Sequence, residues 1–131
     1  MNSSGRTKQI AGISAVAHYL PPLVRTSAEV EELINAHLNP PIPPGSIERL
    51  TGITERRIAG PSEYNSTLAI EACRTLFQQE SMDPNEVQLL IFAATGQDVL
   101  EPATAHIVQA EIGTHCPVMD VTNACNSFLN A

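Results

Sequence analysis

Apolar residues along this chain change from a continuous run to helical stripes and short strand-like patches, and the changes mark out its elements. From Gln9 to Leu20 the residues are mostly apolar or small, Ile10, Ile13, Val16 and Ala17 among them. The run predicts a buried first strand that passes into a loop at Tyr19. Pro21-Pro22 ends it, because proline has no N–H for a ladder. Thr26 and Ser27 offer a helix N-cap, with Glu29 three residues after Thr26 as in a capping box. Val30, Leu33, Ile34 and then His37 or Leu38 recur at helical spacing, which predicts a helix over 28–38. Residues 39–45 hold four prolines and a glycine and form a loop. Neither side of it closes a core alone, so it reads as an internal surface loop and not as a domain linker.

Ile47 to Leu50 predicts one helical turn that stops at Gly52. Thr54 to Ile58, with Glu55, Arg56 and Arg57 in a row, predicts an exposed or edge strand. A longer helix is expected over 65–80, where Leu68, Ala69, Ala72, Cys73, Leu76 and Phe77 make one stripe. Asp83-Pro84-Asn85 is a turn. Val87 to Ala94 lacks polar alternation after Gln88, as expected of a strand buried on both faces. Thr95-Gly96-Gln97-Asp98 then lies at its carboxyl end, where open α/β sheets place ligand sites. Pro102 suits the first position of a helix over 103–112, which Gly113 terminates. Strands alternating with helices predict parallel pairing and a three-layer α/β/α fold.

The last stretch carries the candidate chemistry. Val118, Val121 and Thr122 favour a strand, and Met119 is expected to fill the core beside them. Asn123, Ala124 and Cys125 follow, and Phe128 and Leu129 would be the apolar side of a further helix. A strand turning sharply into a helix puts the turn residue among free N–H groups at the positive end of the dipole. A cysteine there tends toward thiolate and is a candidate nucleophile with oxyanion donors close by. The competing reading is an inert buried thiol, since free cysteine is among the most buried residue types. Cys73, on the helical stripe, is expected in the core.

Length and charge narrow the classes. A chain of 131 residues, 43% hydrophobic and 16% charged, is long enough for one domain with a real core. A net charge of −7 argues against a nucleic-acid surface. Three cysteines show no framework spacing. Met1 to Lys8 is polar, no signal-peptide core follows it, and no run reaches membrane-spanning length. A reduced, cytoplasmic protein is the expectation.

The residues also resemble a known family. Tyr19-Leu20-Pro21 through Val24-Arg25-Thr26, Thr51-Gly52-Ile53 with Glu55-Arg56, and Asp120-Val121 through Ala124-Cys125 recur in that order in thiolase-fold condensing enzymes of the β-ketoacyl synthase III type. Leu100-Glu101-Pro102 and Asn123-Ala124-Cys125 are most similar to the members that join two long-chain acyl-CoA molecules head to head for olefin biosynthesis. The resemblance implies a thiolase-like α/β/α fold with a mostly parallel sheet, of which 1–131 is the incomplete N-terminal half, cut within the helix after Cys125. It implies a Claisen condensation of acyl thioesters, from acyl-CoA or acyl carrier protein, through an acyl group on Cys125. No permanently bound cofactor or metal is expected. Glu101 would reach the partner subunit's active site of a homodimer and help remove a proton α to the second thioester. Alternatively, a carboxylate before Pro102 caps the next helix. The family's catalytic histidine and asparagine belong to the second half of the fold. None of His18, His37, His106 or His115 matches that position. Ser46 and Leu50 replace the tryptophan and arginine that clamp adenine in relatives, with Arg49 adjacent. The remaining C-terminal half is therefore an expected partner. Acyl transfer to an oxygen, nitrogen or sulfur acceptor, and a non-catalytic structural half, are the alternatives.

Overall fold

The structure is a computed structural model that describes residues 11–131. Among the described residues four short strands form two separate pairs. β1 (Leu23–Thr26) runs antiparallel to β2 (Glu55–Ile58), and β3 (Leu90–Ala93) runs parallel to β4 (Val118–Val121). The expected parallel pairing therefore holds for β3–β4, whereas β1–β2 is an antiparallel ribbon of its own. Helices α1 (Ser27–Asn35), α2 (Ser46–Thr51), α3 (Asn65–Glu80), α4 (Thr104–Ile112) and α5 (Ser127–Asn130) fill the connections.

Local signals account for the helix ends. The Thr26 hydroxyl accepts the Glu29 N–H at 3.2 Å, and the Glu29 carboxylate accepts the Thr26 N–H at 2.6 Å, so the predicted capping box forms. Gly52 and Gly113 end α2 and α4 at φ of 71° and 75°, the left-handed region that a Cβ disfavours. The proline loop is pinned by a buried carboxylate: Glu31 on α1 is 4% exposed and accepts the Gly45 N–H at 2.8 Å and the Ile47 N–H at 2.7 Å. Those bonds, the Ile47 one foremost, hold its carboxyl below the usual carboxylate range.

The core lies where α3 and α4 cover the parallel pair. Ile70 on α3, Phe92 on β3, and Ala105, Val108 and Ile112 on α4 are its buried members. Cys73 packs against this cluster as expected, and burial pushes its thiol up.

Three expectations give way. Gln9 and Ile10 lie outside the described residues, and residues 11–20 form no strand; Ile13 is 81% exposed and Val16 77%. A strand exists only as part of a ladder, and this segment pairs with none among the described residues. It is held instead by the Tyr19 hydroxyl, which donates to Glu63 at 2.7 Å. The predicted strand over 87–94 shrinks to Leu90–Ala93 with only Phe92 buried, because one side of the pair is covered by helices. Met119 points away from the core, at 47% exposed, since alternation along β4 gives the inward positions to its neighbours.

Candidate active site

Both loops leaving the carboxyl ends of β3 and β4 are braced by carboxylates. Asp98, in the loop after β3, accepts the Asn65 and Ser66 N–H groups at 3.0 Å each and so caps α3. Asp120, on β4, accepts the Thr104 and Ala105 N–H groups at 2.8 Å each and caps α4. Helix ends, strand ends and loops are thereby tied together at one edge of the sheet. Glu101 and Cys125 both belong to this edge, because the strands that feed them are parallel.

Cys125 is exposed and sits in a 3₁₀ turn, Ala124–Asn126, between β4 and α5. The thiol is therefore not buried among the described residues. Ala124 has φ of 44°, a left-handed conformation that a residue with a Cβ adopts only when its surroundings hold it there. Beside it lies Ser127, 3% exposed. Its hydroxyl accepts the Asn123 N–H at 2.9 Å and lies 2.8 Å from the Ala124 carbonyl and 2.9 Å from the Ala94 carbonyl at the end of β3. Asn123 also donates from its side-chain amide to Asn130. The Cys125 N–H finds no turn, loop or side-chain acceptor among the described residues. α5 follows the turn over Ser127–Asn130, with Phe128 and Leu129 76% and 79% exposed.

Glu101 is exposed and makes no hydrogen bond among the described residues. It does not cap α4, since Asp120 already holds that helix's first N–H groups. Pro102 lies just before the Ala103 N-cap and not at the first helical position. His106 is exposed on α4 and His115 exposed in the following loop; His18 and His37 are exposed as well, and none lies in the Cys125 turn. Ser46 is buried and donates to the Pro43 carbonyl at 2.6 Å, Arg49 approaches Ser46 at 3.5 Å, and Leu50 is 81% exposed. Among the described residues no three His, Cys, Asp or Glu side chains are grouped to hold a metal ion. A groove of about 500 Å³ lies between Ser14–Ala15, Cys73, Phe77, Leu90 and Ile112, away from Cys125 and Glu101.

The sequence pointed to Cys125, Glu101, the loop ending in Asp98 and the motif starting at Asp120, but not to the capping of α3 by Asp98, the capping of α4 by Asp120 or the contacts of Ser127. The only signal for them was their small, capping-competent chemistry next to strand ends.

A parallel strand pair covered by two capped helices, with a cysteine on a strained turn after the second strand, is the arrangement of a thiolase-like fold. Within that class the chain belongs to the β-ketoacyl synthase III type, as part of its N-terminal portion. No protein-family model matches it. It is 35% identical over 122 residues to 3-oxopimeloyl-[acyl-carrier-protein] synthase of Rhodothermus marinus, covering 92% of this chain and 34% of that protein. It is 32% identical over 123 residues to β-ketoacyl-[acyl-carrier-protein] synthase III of Caldanaerobacter subterraneus, covering 93% and 35%. The solved β-ketoacyl-[acyl-carrier-protein] synthase III of Thermus thermophilus superposes with a TM-score of 0.79 at 34% identity, over 92% of this chain and 36% of that one. OleA of Xanthomonas campestris, solved with one glutamate or one histidine replaced, is also similar. The glutamate variant gives a TM-score of 0.77 at 31% identity over 88% of this chain and 36% of its own. The chain thus spans about a third of the length of these relatives. Among the described residues no helix is long and apolar enough to cross a membrane.

Proposed function

We propose that this chain supplies the nucleophile of an acyltransferase that joins acyl thioesters by Claisen condensation. The observation that carries the reading is Cys125, solvent-facing on a held turn at the carboxyl end of a parallel pair. Its thiolate attacks the carbonyl of an acyl-CoA or acyl carrier protein thioester, the Cys125 N–H stabilises the oxyanion, and the carrier thiolate leaves. A base then removes a proton α to a second thioester. The carbanion attacks the acyl-cysteine carbonyl, and the Cys125 thiolate departs, leaving a β-ketoacyl thioester.

Glu101 is our candidate for that base or for positioning it. Its carboxylate has no hydrogen-bond partner among the described residues and lies at the same sheet edge as Cys125, and glutamate is one of the residues altered in the solved OleA variants. The neighbouring Leu100 is 90% exposed, which suits a homodimer contact around this loop. The group that accepts the thiol proton and the rest of the substrate cleft are assigned to the part of the relatives' fold with no counterpart here, on the same or another polypeptide.

With the remaining part of the fold supplied, on the same or another polypeptide, incubation with an acyl-CoA followed by intact mass and peptide mapping tests the first step. One acyl group on Cys125, absent in Cys125→Ser, is expected; acylation elsewhere or nowhere rejects the reading. With the condensing activity reconstituted, Glu101→Gln should still acylate but lose about 10²-fold or more of the β-keto product. An ester or amide product would instead assign transfer to a heteroatom acceptor.

A further inference from the structure

We propose that Ser127 is a positioning residue for Cys125, a role that rests on the reading of Cys125 as the acyl acceptor. Ser127 is nearly fully buried, yet its hydroxyl touches three backbone groups from two distant parts of the chain. Two belong to the turn itself, the Asn123 N–H and the Ala124 carbonyl. The third, the Ala94 carbonyl, ends β3 and lies 33 residues away in sequence.

The single O–H hydrogen is shared between two carbonyls. Ala124 also receives the Ser127 N–H, so the Ala94 carbonyl is the one that depends on the hydroxyl. The oxygen meanwhile accepts from Asn123, which draws the start of the turn inward. Between these anchors sits Ala124 at φ of 44°. Left alone, an alanine relaxes out of that region; clamped on both sides, it stays. Its conformation sets the direction in which the next residue leaves the turn. Ser127 therefore fixes where the Cys125 sulfur and N–H point relative to β3, without touching either.

The consequence separates this role from simple packing. If the hydroxyl acts by holding Ala124 left-handed, glycine at 124 removes the strain that needs holding. The test measures two rates on the protein: acylation of Cys125 by an acyl-CoA, and alkylation of all three cysteines by iodoacetamide, each resolved by peptide mass. Ser127→Ala should slow acylation of Cys125 about tenfold or more, since a 1 Å misplacement of a reacting group costs up to about 10²-fold, and should change its alkylation rate about threefold or more through altered access to the thiol. Cys73 and Cys116 should keep their rates, and that constancy reports an intact fold. Ala124→Gly in the Ser127→Ala background should recover a large part of the loss. If Ser127→Ala unfolds, the double variant is compared with Ala124→Gly alone, and rates within threefold of each other are expected by the same relaxation argument, to about that precision.

Unchanged Cys125 rates in Ser127→Ala, or a loss that Ala124→Gly leaves untouched, overturn the assignment. A wild-type protein that never acylates with the remaining part of the fold supplied rejects the reading of Cys125 instead, and the alkylation arm, which needs no acyl donor, still decides on Ser127.

Discussion

Removing the Asp120 carboxylate should loosen the end of the sheet from which Cys125 emerges, and the size of the effect can be worked from its contacts. Asp120 accepts two backbone N–H groups at 2.8 Å, from Thr104 and Ala105, both residues being 0% exposed. Water cannot readily replace the carboxylate there. A hydrogen bond to a charged group contributes about 1.5–3 kcal/mol, and an N-cap truncation costs about 0.5–2 kcal/mol. The two bonds share one helix end and do not add fully, so Asp120→Ala should destabilise by about 2–4 kcal/mol. Asp120→Asn keeps one acceptor oxygen, turns an amide toward the other N–H, and loses the charge at the dipole; about 1–2 kcal/mol is expected. Urea unfolding followed by far-UV circular dichroism reads this directly. With a slope of about 2 kcal/mol/M, the alanine variant's midpoint falls by about 1–2 M and the asparagine variant's by about half that, with the slope unchanged. A midpoint within about 0.2 M of wild type for Asp120→Ala would show that α4 does not rely on this cap and that the site edge is not braced through Asp120.

Two further outcomes follow from the same contacts. The Glu31 carboxyl is held below the usual range by the Ile47, Gly45 and Ser46 N–H groups, so its contribution to stability is full above the ordinary carboxylate value and is lost as pH falls through the lowered one. Thermal melts of wild type should therefore drop more steeply on acidification than those of Glu31→Gln, with Glu29 and Glu63, shifted the same way, supplying the slope that remains. Equal slopes would refute it. Val108, 1% exposed between α4 and the sheet, loses two methyl-sized groups in Val108→Ala; about 2 kcal/mol is expected by the same urea titration, and a loss under about 0.5 kcal/mol would mean the site collapses without a cavity.

The chain by itself determined its helices. Thr26 with Glu29, the stripe ending in Leu76 and Phe77, and Gly113 each place a boundary through groups a few residues apart, and α1, α3 and α4 form within a few residues of where these signals put them. The sharp turn at Cys125 was legible for the same reason, as small residues between a strand and a helix start, while the left-handed Ala124 within it was not. Tertiary structure decided the rest. Val24-Arg25-Thr26 became a strand only because Glu55 to Ile58 lies beside it, while the more apolar stretch over 11–20, paired with nothing described, did not. Asp98, Asp120 and Ser127 acquired their roles from partners 33, 16 and 33 residues away, at Asn65, Thr104 and Ala94. A cap or a helical turn is closed by neighbours along the chain; a ladder, a clamp and the direction of a thiol are closed by groups that only folding brings within 3 Å, as the 2.9 Å from Ser127 to Ala94 shows.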